Sequence, residues 1–417
     1  MDLDLVIVGG GPAGIATALF LCAAAPRLRD RIAVLEKERY PREKICAGAI
    51  GARADRLLAS IGVRVDVPSV AVSGLAASTR AGTIVARDPG AIAGIGRVVR
   101  RVEFDRAFAE EARARGIRVL ECARVTRVDR DARGVTIGSS LGDIRARAVV
   151  GADGIGSFVR RALGAPRGRF QAQVIEVDTE AAPGDFPRDL LHFDLLDGTL
   201  TGYAWDFPTI VDGRPLVCRG LYALDDAEAD RPIDAGLDLA DRLRARLKAQ
   251  GLSAEGLRFK RFAERGLALH EPLAVERALL VGEAAGIDPV LGEGIAQAIF
   301  YGATAGPYLA RCLDRDELGF QGWKEAVTRS RVGLDIRLRT LGLPWIYGRP
   351  RPFLERLIAG SPALALAGMR YFAGERVPRA AMARASVDAG RALAAMAFSP
   401  TSSAASSSRG AAYRRSR

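Results

Sequence analysis

Three glycines near the N-terminus have the spacing of a phosphate-binding turn. Gly9, Gly11 and Gly14 follow a short apolar run and precede a helical stretch, and Glu36 ends the next apolar run. The first glycine permits a tight turn, the second lets backbone approach a pyrophosphate, and the third lets the helix pack closely on the strand. An acid about 20 residues downstream accepts hydrogen bonds from an adenosine ribose. These residues therefore predict a bound dinucleotide.

The elements that must position this turn form one βαβ unit. Residues 4–8 and 32–35 are apolar runs, with a helical pattern at 15–25 between them. Further strands and helices follow in an order that predicts an α/β fold: a Rossmann-type dinucleotide-binding domain, an inserted antiparallel sheet for the substrate, and a C-terminal helical region. We assign residues 1–66, 97–165 and 262–312 to the first domain, 67–96 and 166–261 to the sheet, 313–398 to the helical region, and 399–417 to a disordered tail.

Composition excludes several classes of protein. With 417 residues, 49% hydrophobic and 26% charged, the chain is an ordinary folded protein of two or three domains. No uncharged apolar run is long enough for a membrane span, and the N-terminus carries acids where a secretory signal carries bases. We expect a cytoplasmic location, with peripheral contact at the inner membrane face as an addition.

Charge and cysteine content narrow the partners. The net charge of +12 has two interpretations: a genomic preference for arginine, or attraction to anionic partners such as phosphates, NADPH or an acidic membrane. Bases are not interleaved with aromatics, so we expect no nucleic-acid partner. Five scattered cysteines and two histidines predict neither disulfides nor a metal site.

Two later segments resemble a known superfamily. Residues 151–160 read GADGIGSFVR, and residues 281–296 read VGEAAGIDPVLGEGIA. Together with the first glycine motif, and in this order, they resemble the p-hydroxybenzoate-hydroxylase-like superfamily of FAD-dependent oxidoreductases. The resemblance covers about residues 1–312 and implies that the dinucleotide is FAD.

The resemblance also implies which residues contact FAD. Backbone N–H groups at 292–295 would face the flavin pyrimidine edge, and Glu283, where the superfamily has Asp, would bind the ribityl or pyrophosphate region. Arg101 would contact the flavin or pyrophosphate, with Phe104 packing and Asp105 capping the helix. A plain strand–helix corner and a solvated arginine are the structural alternatives. The further implied contacts are Ala13, Val125, Asp153, Pro289, Gly292, Gly294 and Ile295.

Two segments resemble the geranylgeranyl reductase family more narrowly. Residues 40–48 read YPREKICAG, and residues 203–208 read YAWDFP. Arg42 and Lys44 can reach cofactor phosphates or the ribityl chain, and Ala47 and Gly48 stand where the family has two glycines. Cys46 would lie near the flavin, to tune it or deliver a proton, unless it is an inert packed thiol.

Tyr203 and Trp205 alternate on a predicted strand, with Phe207 on the same side. They form an aromatic wall for an apolar substrate, or an ordinary core face. Tyr203, Trp205 and Cys46 are the catalytic candidates for saturation of a prenyl chain by flavin hydride transfer. The electron donor would be a transient NAD(P)H or a protein, since only one GxGxxG is present.

Two other functions are alternatives to this one. The main alternative is an FAD-dependent monooxygenase acting on an aromatic or polyketide-like substrate. The related halogenases carry W-x-W-x-I-P where this chain has YAWDFP, so we do not expect a halogenase. An electron-transfer flavoprotein of this kind carries four closely spaced cysteines near its C-terminus, whereas Cys312 is the only cysteine after Cys218 in this chain.

Residues 341–372 mix aromatic residues with arginines. This composition is typical of an interfacial patch, or of a helical cap on the substrate domain. The sequence leaves the oligomeric state open.

Overall fold

The computed structural model describes residues 3–87, 94–166, 168–227, 238–374 and 377–398. The predicted tail at 399–417 lies outside them, and so does residue 234, where the sequence pattern predicts that a helix over 234–249 begins. The strands are β1 Leu3–Val8, β2 Ile32–Leu35, β3 Ala49–Gly51, β4 Ser69–Val72, β5 Gly74–Thr79, β6 Gly82–Arg87, β7 Gly96–Val99, β8 Arg118–Leu120, β9 Val125–Asp131, β10 Gly134–Ser139, β11 Gly142–Gly151, β12 Phe170–Thr179, β13 Leu190–Asp194, β14 Gly202–Val211, β15 Arg214–Asp226, β16 Lys260–Arg265, β17 Ala274–Val275 and β18 Ala278–Leu280. The helices are α1 Pro12–Ala24, α2 Ala52–Ala59, α3 Arg101–Ala114, α4 Phe158–Ala162, α5 Leu239–Ala249, α6 Ile295–Arg315, α7 Trp323–Arg329, α8 Arg331–Tyr347, α9 Arg351–Ala359, α10 Pro362–Phe372 and α11 Arg379–Phe398.

The first sheet carries the predicted Rossmann unit. Its strand order is β17-β18-β11-β1-β2-β8, and β1 pairs in parallel with both β2 and β11. Every residue of β1 and β2 is buried, as expected for central parallel strands covered on both faces. The apolar pattern at 124–137 predicts one strand, but a turn at 132–133 divides this segment into β9 and β10, and the hairpin they form extends β11. The carboxyl ends of β1, β2 and β11 share one edge of the sheet.

The second sheet has seven strands in the order β16-β12-β15-β14-β13-β5-β6. A small third sheet has the order β3-β7-β4, and β5 and β6 of the second sheet come between its strands β4 and β7 in the chain. The predicted domain boundary at residue 262 falls inside β16, which pairs along its whole length with β12. No turn residue interrupts this strand before Gly266, so pairing continues past the boundary.

The C-terminal helices cover one side of the second sheet. Leu343 and Tyr347 of α8, and Leu366 of α10, pack against the apolar cluster that contains Tyr203 and Trp205. None of the helices in the described ranges has both the length and the apolar character needed to cross a bilayer. The C-terminal helices therefore bury one face of the second sheet from solvent.

Candidate functional site

A large crevice opens at the edge where β1, β2 and β11 end. Its volume is about 920 Å³, at the upper end of the range for ligand pockets. Segments from seven parts of the chain border it, and most residues predicted to hold a cofactor are among its walls. Those residues are Gly9, Gly11, Ala13, Glu36, Arg42, Lys44, Arg101, Val125, Asp153, Glu283, Gly292, Gly294 and Ile295.

The glycine turn is built at backbone contact. Gly9 has φ +110°, and a Cβ there would lie 2.3 Å from the Ala152 carbonyl oxygen. A Cβ on Gly14, which does not line the crevice, would lie 1.9 Å from the Gly9 carbonyl oxygen. The first turn of α1 is thereby held against β1, and its free N–H groups open toward the crevice. Such a helix N-terminus attracts phosphate.

The Glu36 carboxylate is fixed at the end of β2. Its Oε2 accepts a hydrogen bond from the Gly10 N–H at 3.1 Å, and its Oε1 accepts one from the Glu38 N–H at 3.0 Å. Arg42 Nε lies 3.2 Å from Oε2. The carboxylate therefore borders the crevice in one orientation, with backbone and guanidinium partners already in place.

Asp105 joins two predicted cofactor arginines. Arg101 donates to both its oxygens, at 2.6 and 2.8 Å, and Arg42 Nη2 lies 3.1 Å from Oδ2. Asp105 is buried inside α3 and does not cap the helix, contrary to our expectation. Burial alone would lower the pKa of Arg101, but the adjacent Asp105 carboxylate raises it overall. The Arg101 guanidinium thus remains charged beside the crevice.

Glu283 offers an unused acceptor. Its Oε1 is shielded from solvent and has no hydrogen-bond partner among the described residues, and its Oε2 lies 4.0 Å from Lys44 Nζ. A buried carboxylate oxygen without a donor is costly, and a ribityl hydroxyl would supply that donor. The residues present therefore fit FAD, although the chain has Glu where the superfamily has Asp.

Asp153 serves the backbone as well as the crevice. Its carboxylate accepts hydrogen bonds from the Phe158 N–H at 2.6 Å and the Val159 N–H at 3.1 Å. Burial raises its pKa, while these hydrogen bonds act in the opposite direction. This residue holds the start of α4 against the end of β11.

The segment before α6 is held from two sides. Asp288 accepts from the Val290 N–H at 2.9 Å and binds Arg339 of α8, whose Nη2 also donates to Glu293 at 2.7 Å. Pro289 lines neither the crevice nor the cavity described next, and its carbonyl oxygen accepts from the Tyr222 hydroxyl at 3.0 Å. Pro289 therefore anchors the segment before α6 to β15 and does not contact the crevice.

A smaller aromatic cavity adjoins the crevice. It has a volume of about 70 Å³. Tyr203 donates its hydroxyl to the Leu291 carbonyl oxygen at 2.6 Å and stacks on Tyr222, with ring centroids 5.2 Å apart. Ala47 and Gly48 form part of its wall. The aromatic side chains around it are Phe193, Tyr203, Trp205, Phe207, Tyr222 and Phe262.

Six residues border both spaces, so the crevice and the aromatic cavity are direct neighbours. They include Cys46, and burial raises the pKa of its thiol, which keeps it protonated. Sequence reasoning missed Phe262 and Glu264, although their alternation on β16 was a signal for a shared face. The shared residues are Cys46, Phe262, Glu264, Gly292, Gly294 and Ile295.

Comparisons with known proteins agree with this geometry. The FAD binding domain family matches residues 2–315. The menaquinone reductase of Mycobacterium tuberculosis is 28% identical, over 76% of this chain and 77% of that protein. The digeranylgeranylglycerophospholipid reductase of Methanothrix thermoacetophila is 26% identical, over 78% of this chain and 84% of that protein.

Solved structures share the fold. A geranylgeranyl bacteriochlorophyll reductase-like protein from Thermoplasma acidophilum superposes with a TM-score of 0.71 at 19% identity, covering 95% of this chain and 98% of that one. Monooxygenases and halogenases are also among the proteins of this fold, so the fold alone does not select the reaction. The predictions of the fold class and of FAD are confirmed. The chain belongs to the FAD binding domain family, within the FAD-dependent oxidoreductase superfamily.

Proposed function

We propose that this protein is an FAD-dependent reductase that saturates carbon–carbon double bonds of a prenyl, geranylgeranyl-type chain. The observation that carries the proposal is the set of residues shared by the walls of the FAD crevice and of a cavity lined by six aromatic side chains. An apolar, aromatic surface beside a flavin suits an alkene better than a polar substrate. The names of two relatives, a menaquinone reductase and a digeranylgeranylglycerophospholipid reductase, support this assignment.

The residues divide the binding of FAD among them. The turn at 9–14 and the cations Arg42 and Arg101 would hold the pyrophosphate, and Glu36 would hold the ribose. Lys44 and Glu283 would hold the ribityl chain. When bound and reduced, FAD supplies the hydride equivalent that saturates the alkene.

The aromatic wall would orient the alkene and stabilise positive charge. An isolated alkene is a weak electrophile, so its reduction develops positive charge on carbon, which aromatic faces attract. The Tyr203 and Tyr222 hydroxyls are bound to the Leu291 and Pro289 carbonyl oxygens, so the rings are fixed. We propose Tyr203, Trp205 and the protonated Cys46 as the residues that contact the reacting segment.

The size of the cavity indicates which part of the substrate it takes. A volume of about 70 Å³ corresponds to about five water-sized sites, at 10–15 Å³ each. That is room for one isoprene unit around its double bond. The rest of the chain would extend between the sheet and α8 or α10, whose apolar side chains pack beside the cavity.

The test is anaerobic turnover. Protein reduced with dithionite and incubated with geranylgeranyl lipids should yield products heavier by two hydrogens for each double bond. The Trp205→Ala variant should lose this activity, whereas Trp345→Ala, on exposed surface of α8, should retain it with a soluble prenyl substrate. Products heavier by one oxygen, formed only in air with NAD(P)H, would instead identify a monooxygenase and overturn the proposal.

The electron donor is a separate proposal. We infer that reducing equivalents come from a transient NAD(P)H or from a protein carrier. Rapid-mixing bleaching of the FAD absorbance by NADPH, NADH or reduced ferredoxin would identify which donor is used. Bleaching by none of the three would contradict this inference.

A further inference from the structure

One carboxyl group lies where the two spaces meet, and one of its oxygens makes no hydrogen bond with any described residue. Glu264, on β16, lines both the crevice and the aromatic cavity. Its Oε2 is shielded from solvent and has no hydrogen-bond partner in the described part of the chain. A Cβ built on Gly292 would lie 2.5 Å from this oxygen, so the carboxyl group packs closely against the loop that contains Gly292.

The surroundings of Glu264 favour its neutral form. Burial raises its pKa well above the ordinary value, and nearby Glu283 raises it further, against the opposing effect of Lys44. A protonated carboxyl group at neutral pH is a proton donor. The titratable groups that face it are Glu283, Lys44, Asp288, Glu176, Cys46, Tyr203 and Tyr222.

Other acids around the aromatic cavity are already engaged. The Tyr203 and Tyr222 hydroxyls donate to backbone carbonyl oxygens, and Glu293 binds Arg339. Burial raises the pKa of the Cys46 thiol, which weakens it as an acid. Glu264 lines both spaces, and its Oε2 makes no hydrogen bond within the described ranges, so its carboxyl group lies beside any substrate that enters the cavity.

We propose that Glu264 is the proton donor of the alkene reduction; this rests on the proposed function. The carboxyl O–H bond breaks and its proton forms a C–H bond at one alkene carbon. The other carbon takes the hydride equivalent supplied by reduced flavin, which is oxidised as the alkene is reduced. The carboxylate left on Glu264 then takes a proton from solvent.

The test compares Glu264→Gln with wild type. The amide keeps the shape and the neutral charge but has no acidic proton, and general acids contribute about 10²- to 10⁴-fold to rates. Glu264→Gln should therefore slow anaerobic oxidation of the reduced protein by a prenyl substrate by that factor, with an unchanged dissociation constant for FAD. Glu176→Gln, a buried carboxyl on the same sheet face but outside both spaces, is the matched control and should keep the wild-type rate.

Two further readouts separate acid catalysis from a structural role. The infrared band of a protonated carboxyl group should be weaker in Glu264→Gln than in wild type. We expect the wild-type rate to fall at high pH, because Glu264 then loses its proton. The residual activity of Glu264→Gln should not show this fall, and Glu264→Asp should recover part of the rate. A Glu264→Gln rate within about tenfold of wild type would overturn the assignment while leaving the reductase function intact. A wild type that saturates no prenyl chain would remove the function itself.

A second inference rests on a different surface. Leu334, Leu338, Leu341 and Trp345 of α8 are 44%, 48%, 73% and 48% exposed. Their spacing of four, three and four residues places them on one face of the helix. The opposite face carries Leu343 and Tyr347 against the aromatic cluster.

Charge indicates what covers this face. Exposed Arg337 and Arg349 flank the apolar stripe on α8, and the whole chain carries a net charge of +12. Apolar stripes with basic borders bind the interface of anionic bilayers. We infer that this stripe docks on an anionic lipid bilayer, which would place the aromatic cavity next to membrane-held prenyl chains.

Co-sedimentation with vesicles tests the docking without any catalysis. The FAD-loaded protein should sediment with phosphatidylcholine vesicles containing phosphatidylglycerol, and less with pure phosphatidylcholine or at high salt. Leu338→Glu combined with Leu341→Glu should lower binding by more than about tenfold. Leu141→Glu with Leu196→Glu, two leucines that are 55% and 49% exposed elsewhere, should bind like wild type. Wild type that stays in the supernatant, or forms a dimer that the α8 double variant disrupts, would overturn the inference.

Discussion

Gly14→Ala tests whether the glycine turn holds α1 against β1 for phosphate binding. The residue lies in the first turns of α1, where replacing glycine with alanine ordinarily stabilises a helix by about 0.8–1.0 kcal/mol. The new Cβ would lie 1.9 Å from the Gly9 carbonyl oxygen, far inside contact distance. Overpacking of this kind costs about 1–3 kcal/mol, and a backbone neighbour gives way least. The contact should therefore exceed the helix gain, with net destabilisation of up to about 2 kcal/mol.

The same displacement should weaken FAD binding. Moving the start of α1 lengthens hydrogen bonds from its N–H groups to the pyrophosphate. Loss of one hydrogen bond to a charged group costs about 1.5–3 kcal/mol, which is about ten- to 150-fold in the dissociation constant. FAD titration of the apoprotein by flavin fluorescence measures this, and urea unfolding of the apoprotein measures stability.

Gly368→Ala is the matched control. Gly368 lies inside α10 and a Cβ there meets nothing within 4 Å, so the substitution should stabilise by about 0.5–1 kcal/mol and leave FAD binding unchanged. If Gly14→Ala behaved like this control, gaining stability and keeping its FAD affinity, the close-packed turn would be refuted.

Two further predictions concern buried charges. Arg339→Met leaves Asp288 and Glu293 without their buried cation, so it should destabilise the protein by about 3–5 kcal/mol in urea unfolding. The control Arg337→Met, on exposed surface, should change the stability by less than about 0.5 kcal/mol, and equal effects of the two variants would contradict the buried pairing. Burial raises the pKa of Glu176 from 4.5 to about 7, so the folded state binds more protons than the unfolded state between those pH values and stability falls as pH rises through them. Glu176→Gln should remove a loss of up to about 3 kcal/mol between pH 4.5 and 7, and parallel pH profiles of variant and wild type would contradict this.

Local patterns in the sequence predicted the main elements well. β2 matches the apolar run at 32–35, and the order of glycine turn, helix and acid produces a parallel β1–β2 pair. These features depend on neighbours in the chain, such as alternation and turn chemistry. The fold class could be predicted for that reason.

Features that depend on distant partners could not be predicted. Arg339 binds Asp288 and Glu293 from 51 and 46 residues away, and nothing local distinguishes it from the many exposed arginines. The family resemblance implied that Asp105 caps a helix, but it lies inside α3 and two arginines bind it. Glu264 lies on a strand at the end of the sheet order, and only the packing of two domains shows that its carboxyl group faces both spaces.

The central claim is that the flavin ring of bound FAD lies where the crevice meets the aromatic cavity. A crystal structure of the FAD-loaded protein tests this most directly. We expect density for the tricyclic ring between Cys46 and residues 292–295, with its reactive edge open to the cavity of Tyr203 and Trp205. A ring bound elsewhere, or separated from that cavity by protein, would contradict the account.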